Sequence, residues 1–342
     1  MRVGICGYPG SGKSTVFGAL APGGSGGRGG VAYGNIKVPD ERIDTLAGIF
    51  KPKRKVYAEI TFVDVGGQPG RSGGAFPPAV LQHMRNADVL VHVVRAFENP
   101  MLSESADVER DDSRFGDELV LLDLAILEKR GERFGKENRK GAEVEINARC
   151  VDHLENGEPL RTLELSDGQL ETLTSIQLLS LTPVITLYTL SEDDWEHSPL
   201  RELREAGTKG MSLGICGALE AEIATLDEDD QAMFLEDLGL SEPARNAFIR
   251  AAFGLLDLIS FLTAGPDECR AWPIQRGSVA KKAAGKVHSD IERGFIRAEI
   301  YCLPDLLEHG SEAALKAKGL IRREGKEYVV QDGDVVNYLF NV

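Results

Sequence analysis

Gly7-Tyr8-Pro9-Gly10-Ser11-Gly12-Lys13-Ser14-Thr15 decides how this chain is read. The stretch fits the pattern G-x-x-x-x-G-K-[ST]. Before it, Met1 to Cys6 carries Val3, Ile5 and Cys6 and reads as a short buried strand. After it, Ser14 onward sets Val16, Phe17 and Leu20 on one helical stripe. A strand, a glycine loop and a helix start in that order make an anion site. Gly7, Gly10 and Gly12 let backbone N–H groups turn toward a phosphate at the positive end of the helix. Gly10, Ser11, Gly12, Lys13, Ser14 and Thr15 are therefore the expected phosphate-binding residues. In such a loop the lysine reaches the β- and γ-phosphates and the following hydroxyl ligates Mg²⁺, roles that fall to Lys13 and Ser14. A glycine-rich turn can match by chance, but the strand before and the helix after argue against it.

Composition bounds the rest. The chain has 342 residues, room for two or three domains. Charged residues make up 27% and hydrophobic ones 42%, ordinary for a globular protein. No apolar run approaches the ~20 residues of a membrane span, so no membrane partner is expected. The first strand runs straight into the glycine loop, which leaves no signal peptide in the reading. Cys6, Cys150, Cys216, Cys269 and Cys302 are scattered without a C-x-x-C pair. That argues against zinc and disulfides and places the protein in a reducing cytoplasm. A formal net charge of −15 excludes a uniformly basic nucleic-acid binder. Two local clusters stay open, Lys51, Lys53, Arg54 and Lys55, and Lys281, Lys282 and Lys286. Each is either a solvated surface or a phosphate-backbone contact.

Residues 21–34 are glycine-dominated, and ordering glycine costs the most backbone entropy, so a mobile segment is expected there. Tyr57 to Val65, Asp88 to Val94 and Pro183 to Leu190 read as strands separated by helical patterns, the signature of a doubly wound α/β domain. Residues 100–180 read as a helical hairpin inserted into it, with helices packed on the main sheet as the alternative. Beyond Phe261, Arg270 to Ile274, Phe295 to Tyr301, Lys326 to Val330 and Val335 to Phe340 read as strands and Leu306 to Lys318 as one helix. The expected division is 1–99 with 181–260 as the nucleotide domain, 100–180 as the insertion, and 261–342 as a compact α+β domain.

Asp64-Val65-Gly66-Gly67 ends the strand Tyr57 to Val65 and fits D-x-x-G. In that motif the Asp supports Mg²⁺ and the Gly N–H senses the γ-phosphate, which singles out Asp64 and Gly67. Loop and D-x-x-G together define a nucleotide-dependent switch. Further motifs carry a resemblance. Val38-Pro39-Asp40-Glu41-Arg42 with Ile49-Phe50-Lys51-Pro52-Lys53, Val91 to Phe97 (VHVVRAF), Phe261 to Trp272 (FLTAGPDECRAW) and Ala283 to Glu299 resemble motifs of the YchF / Obg-like ATPase family. The resemblance runs from end to end. It implies a P-loop domain with a helical insertion, a C-terminal TGS domain, and hydrolysis of nucleotide, often ATP in preference to GTP. It also implies association with the ribosome or its RNA. A monomer is expected.

The chain departs from that family in four places. Gly10-Ser11-Gly12 stands where the family has Asn-Val-Gly, which leaves the mechanism intact. Arg28-Gly29-Gly30-Val31 offers no counterpart to the family's switch threonine, a Mg²⁺ ligand. Gln68 replaces an apolar residue at the position where Ras-like GTPases orient the attacking water. The family's base-reading Asn-x-x-Glu becomes Thr189-Leu190-Ser191-Glu192. Thr189, Ser191 and Glu192 are thus the expected base-side residues. Gly217 and Ala218 fall at what the resemblance makes a second base-contacting loop. Lys13 and Gln68 are the expected catalytic residues, and Ser14 with Asp64 the metal site. A nucleotide-gated binding module with little turnover is the competing reading; a metabolic kinase is opposed by D-x-x-G. His92, inside an apolar strand, reads as a packed, hydrogen-bonded core residue.

Overall fold

The computed structural model describes residues 1–26, 31–65, 76–202, 204–205, 210–240 and 242–341. Gly67, Gln68 and residues 27–30 lie outside them. Packing divides the chain into two units, Met1–Ile36 with Thr61–Leu255, and Lys37–Ile60 with Leu256–Val342.

In the first unit the continuous apolar runs become parallel strands buried on both faces. β1 (Arg2–Cys6) pairs parallel with β5 (Glu59–Val65) on one side and β6 (Val89–Arg95) on the other. β7 (Val184–Thr189) and β9 (Gly210–Ile215) continue the parallel sheet beyond β6. β3 (Val31–Lys37) flanks β5, with β2 (Ser25–Gly26) at that edge and β8 (Arg204–Glu205) at the other, both antiparallel. Val3, Ile5, Leu90 and Val91 have no exposed surface. Burying each such side chain contributes about 1.5–3 kcal/mol, so the strand entering the glycine loop is among the best anchored in the unit. The helices α1 (Lys13–Leu20), α3 (Pro78–Arg85), α7 (Glu192–Trp195), α8 (Gly217–Ile223), α9 (Glu228–Asp237) and α10 (Ala244–Leu255) complete the domain. Phe62 of β5 packs on Phe248 of α10 at 5.4 Å between rings.

The segment 100–180 satisfies both readings at once. α4 (Val108–Lys136) is capped by Asp107, which accepts from Arg110 N at 3.0 Å. Near its start Phe115 and Leu119 pack with Met84 and Leu90 against the sheet. Further along, Val120 and Leu127 pack with Ile146, Cys150 and Leu154 of α5 (Ala142–Glu155) and Leu173 of α6 (Asp167–Thr174) in a separate core. The fully buried Asp123 accepts from Leu179 N at 3.1 Å and Ser180 N at 2.6 Å, fixing the chain's return to β7.

The glycine-rich stretch differs from expectation where it is described. Residues 31–34 belong to β3, and Ser25 and Gly26 pair with Tyr33 and Ala32. Gly34 permits close approach there: a Cβ would lie 2.5 Å from that of Ala21.

The second unit is a sheet of order β13 (Arg322–Glu324), β12 (Phe295–Cys302), β14 (Asp334–Phe340), β10 (Leu258–Ala264), β11 (Glu268–Gln275) and β4 (Arg54–Val56). Ala280, Ala283 and Ala284 of α11 (Ala280–Val287) pack with Phe261 and Ile300 in its core, and α12 (Ser289–Arg293) follows. α2 (Glu41–Phe50) and β4 come from residues expected in the nucleotide domain; here β4 pairs parallel with β11. Arg42 bridges to Asp332 at 3.0 Å. Three of the four side chains of the basic cluster are ion-paired within this unit, Lys53 to Asp267 at 2.8 Å, Arg54 to Glu268 at 3.0 Å and Lys55 to Asp44 at 2.7 Å. Two local expectations fail. Leu306 to Lys318 is split into α13 (Leu303–His309) and α14 (Glu312–Ala317), because Gly310 turns left-handed at φ 74° and Ser311 caps the second helix. Lys326 to Val330 forms no strand, only a single bridge from Val329 to Val279.

Candidate functional site

The expected phosphate loop joins β1 to α1 at the carboxyl edge of the sheet. Gly7 has φ 149°, and a Cβ there would run into the carbonyl oxygen of Val93. Gly12, at φ 87°, precedes α1 without any side-chain cap, and the first turn of α1 holds no acidic residue. The helix therefore starts with free N–H groups and an unopposed dipole, which suits an anion. Lys13 Nζ donates to the carbonyls of Gly7 and Tyr8, each at 2.8 Å. Burial pushes its ammonium below the ordinary value, while Asp64 pulls it back up. Ser14 and Thr15 stand exposed on the first turn.

Asp64 lies near the end of β5, in register with Ile5 of β1. Burial raises its carboxyl above the ordinary value, with Lys13 opposing. Its Oδ1 is buried and has no hydrogen-bond partner among the described residues. A hard cation such as Mg²⁺ takes oxygen donors and keeps water and phosphate among its ligands. An orphaned carboxylate oxygen and the exposed Ser14 hydroxyl are a donor set of that kind.

Gly12, Thr15, Thr189, Ser191, Glu192, Gly217 and Ala218 line one cavity of about 430 Å³. They come from the loop, the end of β7 and the start of α8, distant segments gathered at one sheet edge. The Thr189 and Ser191 hydroxyls in its wall already have partners within the protein. Thr189, 5% exposed, donates to Ser11 O at 2.9 Å. Ser191 caps α7, donating to Asp194 Oδ2 at 2.6 Å and accepting from Asp194 N at 3.1 Å. Glu192 is exposed at the first turn of α7. Gly217 abuts α1, where a Cβ would strike Thr15 Cγ2. Of the expected catalytic and switch residues, Gly67 and Gln68 lie outside the described residues.

Sequence reasoning left other polar groups without a function. His92 is fully buried, stacked on Phe115 at 4.0 Å, with Nδ1 3.0 Å from Asp112 Oδ1. Burial holds the imidazole below its ordinary pKa, and the Asp112 carboxyl lies below its own because of the hydrogen bond and charge of His92, against the effect of burial. Glu220 of α8 is buried and accepts Ala244 N at 2.8 Å, capping α10. Arg95 is 6% exposed at the end of β6. A charge closing a strand that is apolar apart from His92 was the sequence signal for it.

A parallel sheet with this glycine loop, its lysine, and a carboxylate at the end of the neighbouring strand defines a P-loop nucleoside triphosphatase. The family model YchF-GTPase_C, described as a protein of unknown function, matches residues 258–341, and the model "50S ribosome-binding GTPase" matches residues 2–124. The "Ribosome-binding ATPase YchF" of Escherichia coli O157:H7 is 37% identical over 366 positions, covering 100% of this chain and 99% of the relative. The "Obg-like ATPase 1" of Oryza sativa subsp. japonica is 34% identical, covering 100% and 92%. The solved YchF GTPase of Schizosaccharomyces pombe superposes with a TM-score of 0.84 at 29% identity, over 99% of this chain and 97% of that one. The chain belongs to the YchF family.

Proposed function

We propose that the chain is a Mg²⁺-dependent triphosphatase that prefers ATP to GTP and acts in the cytoplasm, as a monomer, as a nucleotide switch on the ribosome. The observation that carries the base preference is Thr189. Guanine selection in this fold rests on an Asn together with a carboxylate. Thr189 stands at the Asn position with its hydroxyl held by Ser11, so half of that recognition is absent. Adenine asks less of a carboxylate and more of backbone groups such as those of Gly217 and Ala218.

Lys13 and the loop N–H groups hold the β- and γ-phosphates and take up the charge that develops on them. Ser14 and Asp64 would hold Mg²⁺, which would supply positive charge to neutralise the phosphates. Gln68 is assigned to orienting water, with Gly67 at the γ-phosphate. Titration with labelled ATP and GTP, with and without Mg²⁺, tests the reading. GTP binding more than about 10-fold tighter than ATP overturns the preference. A phosphate-release assay with Lys13→Ala as the blank tests hydrolysis, and unchanged release by that variant removes the loop from the mechanism. Gln68→Leu lowers single-turnover hydrolysis about 10-fold or more at nearly constant affinity; equal rates remove Gln68.

The ribosomal reading is supported by the names of the bacterial relatives and by Lys281, Lys282 and Lys286, which stand exposed on α11. Replacing all three with Glu reduces co-sedimentation with ribosomes if they face RNA phosphates.

A further inference from the structure

Beside the phosphate loop lies a second cavity, of about 210 Å³, that shares no lining residue with the first. Tyr8 and Ser11 of the loop, Arg95 of β6, and Arg110 and Arg114 of α4 contribute to its wall, together with the carboxylate residues Glu104 and Asp111. Arg95 Nη2 donates to the carbonyl oxygen of Glu104 at 2.6 Å, while its Nη1 is buried without a hydrogen-bond partner among the described residues. Ser11 is 3% exposed, and its Oγ is likewise buried and unpartnered. The Tyr8 hydroxyl is buried and unpartnered as well. Three orphaned donors in one wall are a pattern that folded proteins avoid, because each unmade bond costs free energy. A ligand that accepts from them removes that cost.

The charges around the cavity narrow the ligand. Arg114 lies over the Tyr8 ring at 4.9 Å and 3.8 Å from Glu118. Arg110 is paired with Asp111 at 3.0 Å and sits 4.0 Å from Glu104. Those two guanidinium groups are thus partly neutralised. Among the described residues, Arg95 pairs with a carbonyl and with no carboxylate, in a buried place. The three guanidinium groups of the lining outnumber its two carboxylates, which disfavours a cation, and an apolar occupant would leave Nη1 unpaired. The volume falls below the ~300–1,000 Å³ of pockets for drug-sized molecules, which suits an ion of a few atoms. Arginine N–H groups and a hydroxyl are the donors that recognise a tetrahedral oxyanion.

We propose that this cavity is an inorganic phosphate site, distinct from the nucleotide cavity and sharing only the phosphate loop with it. The test is calorimetric titration of the full-length protein with inorganic phosphate, in the Lys13→Ala background to weaken the nucleotide loop as a phosphate binder. The expected result is one phosphate per chain. Arg95→Gln then weakens it at least about 10-fold, the loss of a charge-assisted contact. Because Arg95 is buried, the exposed pair Arg110→Gln/Arg114→Gln provides a second variant, expected to weaken binding about 3-fold or more and to flatten its salt dependence. Sulfate competes and chloride does not. Absence of phosphate binding overturns the proposal, as does unchanged affinity in the folded Arg variants. Acetate binding as tightly as phosphate also overturns it, in favour of a carboxylate site.

Discussion

The Thr189 hydroxyl donates to Ser11 O at 2.9 Å and also lies 3.1 Å from Val94 O. One proton thus fastens the phosphate loop to the ends of β6 and β7. Thr189→Val keeps the shape and removes the tie. Stability is expected to fall by about 1 kcal/mol, and nucleotide affinity several-fold, read by thermal denaturation and calorimetry. Affinity equal to wild type would show that the loop holds its shape without this contact.

Asp64→Asn separates folding from metal binding. The folded carboxyl is raised above its ordinary value of 3.8, so the folded protein holds this proton more tightly than the unfolded chain. Its ionisation therefore opposes folding as pH rises through and above 3.8. The amide removes that charge from a buried place, and the Tm of the nucleotide-free protein at pH 7 is expected to hold or rise. Mg²⁺-dependent nucleotide affinity is expected to drop by about 10-fold or more. A Tm several degrees lower would make Asp64 a structural residue.

His92 gives a pH dependence of opposite sign. Its folded pKa lies below the ordinary value of 6.5, so the unfolded chain takes up the proton first as pH falls. The stability it contributes is complete above 6.5 and is lost as pH drops from there toward the folded value. His92→Phe preserves stacking on Phe115 and removes the titration. Denaturant melts at pH 7 and pH 5.5 are expected to converge in the variant relative to wild type. An equal slope in both proteins would assign the pH effect elsewhere.

Gly217 and Thr15 form a third testable pair. A Cβ at 217 strikes the Thr15 methyl, so Gly217→Ala is expected to destabilise by about 1–3 kcal/mol through overpacking. Thr15→Ser removes that methyl and is expected to restore part of the loss. A double-mutant cycle measures the coupling, and a value near zero would mean that α8 shifts to accommodate the methyl.

The strand–loop–helix core was legible because every constraint on it is local: glycines at fixed offsets, an apolar strand before, a helical stripe after. The strands ending at Arg95 and Thr189 were legible for the same reason, as continuous apolar runs. What local pattern does not carry is pairing. Arg54–Val56 reads as a basic connector, yet it finds its ladder on β11, more than two hundred residues away in sequence. The break at Gly310 was readable in principle, since Gly-Ser between helical stretches offers a C-cap and an N-cap together. At the site, Gly12, Thr15, Thr189, Ser191, Glu192, Gly217 and Ala218, singled out by residue type and motif, line one cavity, while Lys13, Ser14 and Asp64 do not line it. Their hydrogen bonds were not legible, because the partner of Thr189 is a carbonyl and every residue carries one.

α4 is a single helix of 29 residues, about 43 Å long at 1.5 Å per residue. Its first turns lie on the sheet, where Asp112 meets His92, and its far end is packed on α5. The same rod is thus a fulcrum at the nucleotide edge and an outrigger beyond it. A tilt of about 5° at the sheet displaces the tip by about 4 Å, the scale of a helical turn. Sub-ångström changes beside the phosphate loop acquire, through nothing more than leverage, the reach to be felt by a neighbouring macromolecule.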